Sequence, residues 1–291
     1  MGDVNTPTVS ARISRYAPTL TFLILTLLPI GGVGAQFDQA HEAWDALLKR
    51  HVVLVDGGKA SRVRYDGFAR DRAELQRYLD ALSAVPEQQF ATWTKAQRMA
   101  FLINAYNAFM IRKVLSRYPD IRSVWDFGKI FGNPFKDEFF TLFGEPFSLD
   151  RIEHGALRKP GSYDEPRVHF AVNCASIGCP MLREEAYLAT RLDAQLEEQT
   201  RRFLSDRTRN RFDPVQRRLQ VSQIFNWYEV DWTSGYRGLA GDAAPLRSRE
   251  QFFARYADLL ADAEQDRDLI RARNAPLAFL DYDWSLNDAK R

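Results

Sequence analysis

Cysteine and histidine are scarce in this chain of 291 residues, with two of the first and four of the second. A closed zinc centre takes four such ligands at short spacings, and the two cysteines stand further apart than the common two-residue gap. An excess of charge of one sign is missing too. Lys and Arg number 40 against 38 Asp and Glu, which leaves no electrostatic footprint for a nucleic acid. No internal repeat, low-complexity tract or linker interrupts the chain, so nothing argues for a solenoid or for several domains. After the first 35 residues no apolar run reaches the ~20 residues of a membrane span.

What is there begins with a targeting pattern. Arg12 and Arg15 precede the short apolar run 20–30, and Val33-Gly34-Ala35 closes it with small residues. This reads as a signal peptide cleaved after Ala35, giving a periplasmic or secreted product without a stable membrane span. Taking away Asp3, Arg12 and Arg15 leaves 38 basic against 37 acidic residues in 36–291. Apolar residues make up 45% and aromatics 13% of the sequence, enough for one sizeable core. The expected fold is therefore a single helix-rich α+β domain over 36–291, around a small mixed or mainly antiparallel sheet.

Thr94 and Gln97 form a capping box ahead of a helix over about 95–117. Its middle, MAFLINAYNAFMI, is apolar on almost every side and belongs in the interior. Asn104 and Asn107 break that run three residues apart on one face, so both need partners. They either tie neighbouring loops to the core or orient a ligand or a histidine. The aromatic connection 120–147 has to pack over the core or line a groove. Ser148 then caps a short helix that carries Glu153, His154 and Arg158, an acid–base neighbourhood. Further helices are expected over 184–206 and from Ser248. Strands are expected near 219–221 and over 277–287, and the aromatics of 224–232 read as core. His41 and His51 have no companion at metal spacing and read as packing or surface residues.

The stretch RVHFAVNCASIGCPMLR at 167–183 is the most informative. Alternation predicts a strand over 167–173, with His169, Ala171 and Asn173 on one face. Cys174 to Pro180 then turns tightly around Gly178. Oxidation in an exported chain favours a Cys174–Cys179 disulfide and a ligand-binding pocket of His, Cys and Glu side chains. The competing reading makes Cys174 a nucleophile with His154 or His169 as base, and Glu153 or an Asn orienting the imidazole. Backbone N–H groups of 174–179 would then face an oxyanion. Those are the parts of papain-like and transglutaminase-like chemistry on amide or peptide bonds of the envelope. A metal held by His154, His169 and the thiols is a third reading, with a wide C-x4-C spacing. Nothing in the sequence calls for a cofactor.

Five segments together resemble the family known as domain of unknown function 547. They are FLINAYNAF at 101–109, LDRIEHGALR at 149–158, RVHFAVNCASIGCP at 167–180, FNWYEVDW at 225–232 and YDWSLN at 282–287. The resemblance implies one α/β domain and no established activity. It places family motifs on Asn104, Asn107, Glu153, His154, Arg158 and His169, and also on Asn173, Cys174, Cys179, Trp227 and Tyr228. A small molecule or an envelope peptide is the kind of partner these residues suit.

Overall fold

In the computed structural model, residues 1–3, 8, 36–128 and 132–290 are described, and two units divide the chain, Met1–Gln36 and Phe37–Arg291. The expected apolar run and its Ala35 end lie outside the described residues, as does Phe131 of the aromatic connection. Everything below concerns the second unit.

Thr94 starts the helix Lys95–Leu115 as its spacing predicts. Its Oγ1 accepts the Gln97 N–H at 3.2 Å, and Gln97 Oε1 accepts the Thr94 N–H at 2.9 Å. Every residue from Met99 to Ile111 is buried. An α-helix with no face for water has to be wrapped by other elements. Here the helices Glu42–His51 and Arg72–Ser83 supply Trp44, Leu47, Leu75 and Leu79 to the same core. The aromatic connection closes over it through the hairpin Phe140–Leu142 and Glu145–Phe147, with Phe140 stacked on Phe109 at 3.8 Å. Near the C-terminal end of the buried helix, Lys113 reaches Asp137 at 2.7 Å under the rings of Phe127 and Phe139.

A second core gathers around Phe170, Phe225, Trp232, Phe252 and Phe253. It lies beside a three-stranded mixed sheet in which Arg218–Val221 pairs antiparallel with Arg211–Asp213 and parallel with Leu277–Phe279. The other sheet pairs, including Val52–Val55 with Ala60–Val63, are antiparallel hairpins. The architecture is thus α+β and helix-rich, with small sheets. Among the described residues no helix is long and apolar enough to cross a membrane.

Three expected elements differ. Pro166–Phe170 is a 3-10 helix and not a strand. Pro166 fixes its first φ, and Glu165 accepts the Arg167 N–H at 3.0 Å, so the turn is capped before a strand can form. The alternation misled because both of its faces are buried, His169 at 3% exposure beside Phe170 at 0%. The helix after the thiol loop begins only at Leu192 and runs to Ser205. Asn104 accepts the Tyr187 N–H at 3.0 Å and donates to the Tyr187 carbonyl at 2.8 Å, occupying both groups a helix would use. The last strand ends at Phe279; beyond it the chain crosses the thiol loop by single bridges such as Ser176 with Leu286.

Candidate functional site

The thiol loop is held from two sides. Asn107 donates to the Ala171 carbonyl and accepts the Asn173 N–H, both at 2.9 Å, so the buried helix fixes where the loop begins. Asn173 Oδ1 accepts the Ala175 N–H at 3.0 Å, and its amide donates to the Pro180 carbonyl at 2.8 Å. From the other side, Ile177 and Gly178 donate to the carbonyls of Ser285 and Asp283 at 2.9 and 2.8 Å. A Cβ on Gly178 would lie 2.9 Å from the Asp283 nitrogen, so this approach needs glycine.

Cys174 and Cys179 are free thiols, which corrects the expected disulfide. The Cys174 N–H points at the Cys179 sulfur, 2.9 Å away, while the Cys174 sulfur turns to Ser176 Oγ at 3.0 Å and Tyr282 Oη at 3.2 Å. Burial pushes the Cys174 thiol up, but hydrogen bonds from Cys179, Ser176 and Tyr282 and from the Ser176 backbone outweigh it and leave the thiol below its ordinary value. Cys179 goes the other way, raised by burial and by the neighbouring Cys174. Tyr282 is raised by burial and by the charge on Cys174, so it remains a proton donor. The N–H groups of the loop are engaged within the protein and do not face a vacant oxyanion position, contrary to expectation. The loop thus surrounds the Cys174 sulfur with hydrogen-bond donors.

Cys174 is half-buried and opens into a cavity of about 380 Å³. That size suits a small molecule. Glu153, His154 and His169 line the same cavity, although they arrive from separate elements. Glu153 and His154 come from the π-helix Arg151–Leu157, whose start Ser148 caps by accepting the Arg151 N–H at 3.0 Å. Its wide turn, with Arg158 N–H donating to the Glu153 carbonyl at 2.9 Å, is of the kind that often marks a functional position.

His169 Nε2 lies 2.7 Å from Asp231 Oδ2 and the ring stacks on Tyr228 at 4.0 Å. A carboxylate only accepts, so Nε2 carries the proton and Nδ1 the lone pair. Burial lowers the His169 pKa and Asp231 only partly offsets this, so the imidazole is neutral near pH 7. Arg158 Nε donates to the same Asp231 oxygen at 2.6 Å, and its guanidinium lies over the Tyr228 ring. Burial raises the Asp231 carboxyl, but His169 and Arg158 bring it below its ordinary value. His154 Nδ1 meets Arg158 Nη1, so it accepts there and keeps its proton on Nε2. Burial and Glu153 together push the Tyr228 phenol up.

Of the residues singled out from the sequence, Cys174, Cys179, His154, His169, Glu153, Trp227 and Tyr228 share the cavity. Arg158 stands behind its wall as the partner of Asp231. Asn104, Asn107 and Asn173 are tethers and do not reach it. The aromatics of 224–232 divide: Phe225 and Trp232 are core, while Trp227 is 46% exposed at the cavity. His41 and His51 are buried packing residues, bonded to Tyr78 and Asp71 at 2.7 Å each. Sequence reading missed Asp231, Ser176, Tyr282 and Trp284. Asp231 had a signal, a lone carboxylate in the apolar end of FNWYEVDW. Among the described residues no group of three or more His, Cys, Asp or Glu side chains is arranged to hold a metal ion.

A family model described as protein of unknown function, DUF547, matches residues 90–204. That span carries the buried helix, Glu153, His154, His169 and both cysteines, and it stops before Trp227, Asp231 and Tyr282. No curated protein and no solved structure matches the chain.

Proposed function

We propose that the chain is an exported thiol enzyme in which Cys174 attacks the carbonyl carbon of a small amide or ester held in the cavity. The observation that carries this is the set of donors around the Cys174 sulfur, Ser176 and Tyr282 foremost, in a half-buried position on a cavity that His169, bonded to Asp231 behind it, also lines. A cysteine that is only packing has no use for such donors; a nucleophile needs its thiolate.

In this reading the Cys174 proton passes to His169 Nδ1 and the sulfur bonds to the carbonyl carbon. The carbonyl oxygen takes the negative charge, with the Tyr282 hydroxyl and His154 Nε2–H as the polar hydrogens on hand. The leaving amine or alcohol departs with the proton from His169, leaving a thioester. Water then gives its proton to His169 as its oxygen attacks, and the acid and the free thiol are released. Asp231 orients the imidazole, the role that sequence reading offered to Glu153 or an Asn. Export is supported by Arg12, Arg15 and the Val33-Gly34-Ala35 ending, and it puts the substrate in the envelope.

Incubation with p-nitrophenyl acyl esters and intact-mass measurement tests the step. An acyl adduct on Cys174 is expected, absent in Cys174→Ala and slower to form in Asp231→Asn. No adduct, or one that persists in Cys174→Ala, would sink the reading.

A second reading rests on Cys179, whose sulfur accepts the Cys174 N–H and whose thiol is itself held protonated by burial. There the pair cycles between dithiol and disulfide, giving two electrons and two protons to a disulfide substrate. Thiol quantification after exposure to oxidised glutathione separates the two readings. Loss of both thiols with release of reduced glutathione favours this one; retained thiols with acyl adducts favour the first.

A further inference from the structure

The cavity is electrically one-sided. Its wall carries two carboxylates, Asp150 and Glu153, and among the described residues no Lys or Arg lines it. Neither nearby arginine pairs with these two carboxylates, although the Arg158 guanidinium over the Tyr228 ring still feels the charge of Glu153. Arg158 donates to Asp231, and Arg151 donates to the Pro146 carbonyl at 2.8 Å and lies over Phe147. His154 accepts from Arg158 at Nδ1, and burial lowers the His169 pKa, so neither imidazole supplies a cation near pH 7.

Glu153 is the telling group. It is 7% exposed and, among the described residues, forms no ion pair; the Tyr228 hydroxyl is the partner that bonds it. A buried carboxylate ordinarily has a cation beside it, because desolvation is costly. Aromatic rings line the same cavity. Trp284 lies 5.2 Å from Trp125 and 5.7 Å from Trp227, and Tyr282 is 4.9 Å from Trp227. Trp125 and Trp227 are the exposed members, 39% and 46%, so part of each ring is open at the cavity. Indole faces attract cations that have shed water, and a weakly hydrated organic ammonium sheds it most cheaply.

We infer that the cavity selects a ligand bearing an organic ammonium group, seated on the indoles of Trp125, Trp227 and Trp284 with its charge toward Glu153 and Asp150. This rests on the cavity being the ligand site of the proposed reaction, but not on the thiol step. The ligand supplies a cation that none of the described wall residues provides. Neutral or anionic small molecules of the same shape are rejected, the anions by both carboxylates.

Choline and its neutral isostere 3,3-dimethylbutan-1-ol test this on the wild-type protein, by tryptophan fluorescence titration and by protection of Cys174 from iodoacetamide. Choline is expected to bind and protect, at least about tenfold more tightly than the isostere. Glu153→Gln should remove most of that margin, and Asp150→Asn, at a more exposed position, part of it. Equal or reversed affinities overturn the inference, as does failure of both choline and benzyltrimethylammonium to give saturable binding. A margin that survives in both variants also overturns the assignment to these carboxylates. Protection by choline without any acyl adduct would cost the thiol reaction and leave this inference standing; adducts without ammonium binding would do the reverse.

Discussion

Cys174 has opposing forces on its proton. Burial favours the neutral thiol, and only the donors around the sulfur bring the balance below the ordinary value. Removing one donor should therefore be visible. Tyr282→Phe is expected to raise the Cys174 pKa, and Ser176→Ala likewise, since each loses one charge-assisted hydrogen bond. The pH dependence of the alkylation rate by iodoacetamide measures it, and an unchanged midpoint in both variants would show that these hydroxyls do not hold the thiolate. At this scale the sequence was informative about types and poor about pairings. Cys174, His154, His169 and Glu153 stood out because few residues of their chemistry exist in the chain. Asp231, sixty-two positions beyond His169, joins it only through folding. No local spacing encodes such a partner. The disulfide was the expectation that failed, because a count of two cysteines carries no information about where each sulfur points.

Helix Lys95–Leu115 joins stability to the site through two amides of different consequence. Its start, its length within two residues and its burial were legible, because a capping box and an apolar stretch all round are local signals. The destinations of Asn104 and Asn107 were not, although the need for partners was. Asn104 clamps the Tyr187 peptide, remote from the cavity, and Asn107 clamps the residues that lead into Cys174. Replacing either with Ala leaves buried groups unsatisfied and should cost about 1–3 kcal/mol, read from urea midpoints. The two should part at the thiol. Asn107→Ala is expected to slow Cys174 alkylation several-fold at pH 7, while Asn104→Ala leaves it unchanged. Equal effects on alkylation would mean that the helix does not position the loop through Asn107. The strand expected over 167–173 shows the complementary limit. Period-two alternation distinguishes faces only when one of them is wet, and here neither is.

Across the second unit, the site is assembled from the π-helix, the thiol loop, the segment around Trp227 and the chain after Phe279, and the two aromatic cores hold these together. Such an assembly inherits the stability of the whole, and two buried histidines make that stability depend on pH. Burial lowers the His41 pKa from 6.5 to about 4, with Asp38 opposing weakly, and burial also lowers that of His169. In the unfolded chain both would bind protons near 6.5, so between that pH and the folded value the unfolded state holds more protons. Stability therefore rises with pH through this window and is lost as pH falls below 6.5. His41 alone contributes on the order of 3 kcal/mol of loss by pH 4. Carboxyls held low in the folded chain, such as Glu185 at about 2, act in the same direction but only below their unfolded values near 4.5. The interval from 6.5 to 4.5 thus isolates the histidines. Urea midpoints should fall steadily across it, and His41→Asn should remove the His41 share of the slope. Asn is the suitable replacement because His41 sits at φ 52, in the left-handed region that Asn tolerates. Midpoints that hold level between pH 6.5 and 4.5 in the wild type would show that these imidazoles take up protons without unfolding, and that the walls around them open more readily than their burial implies.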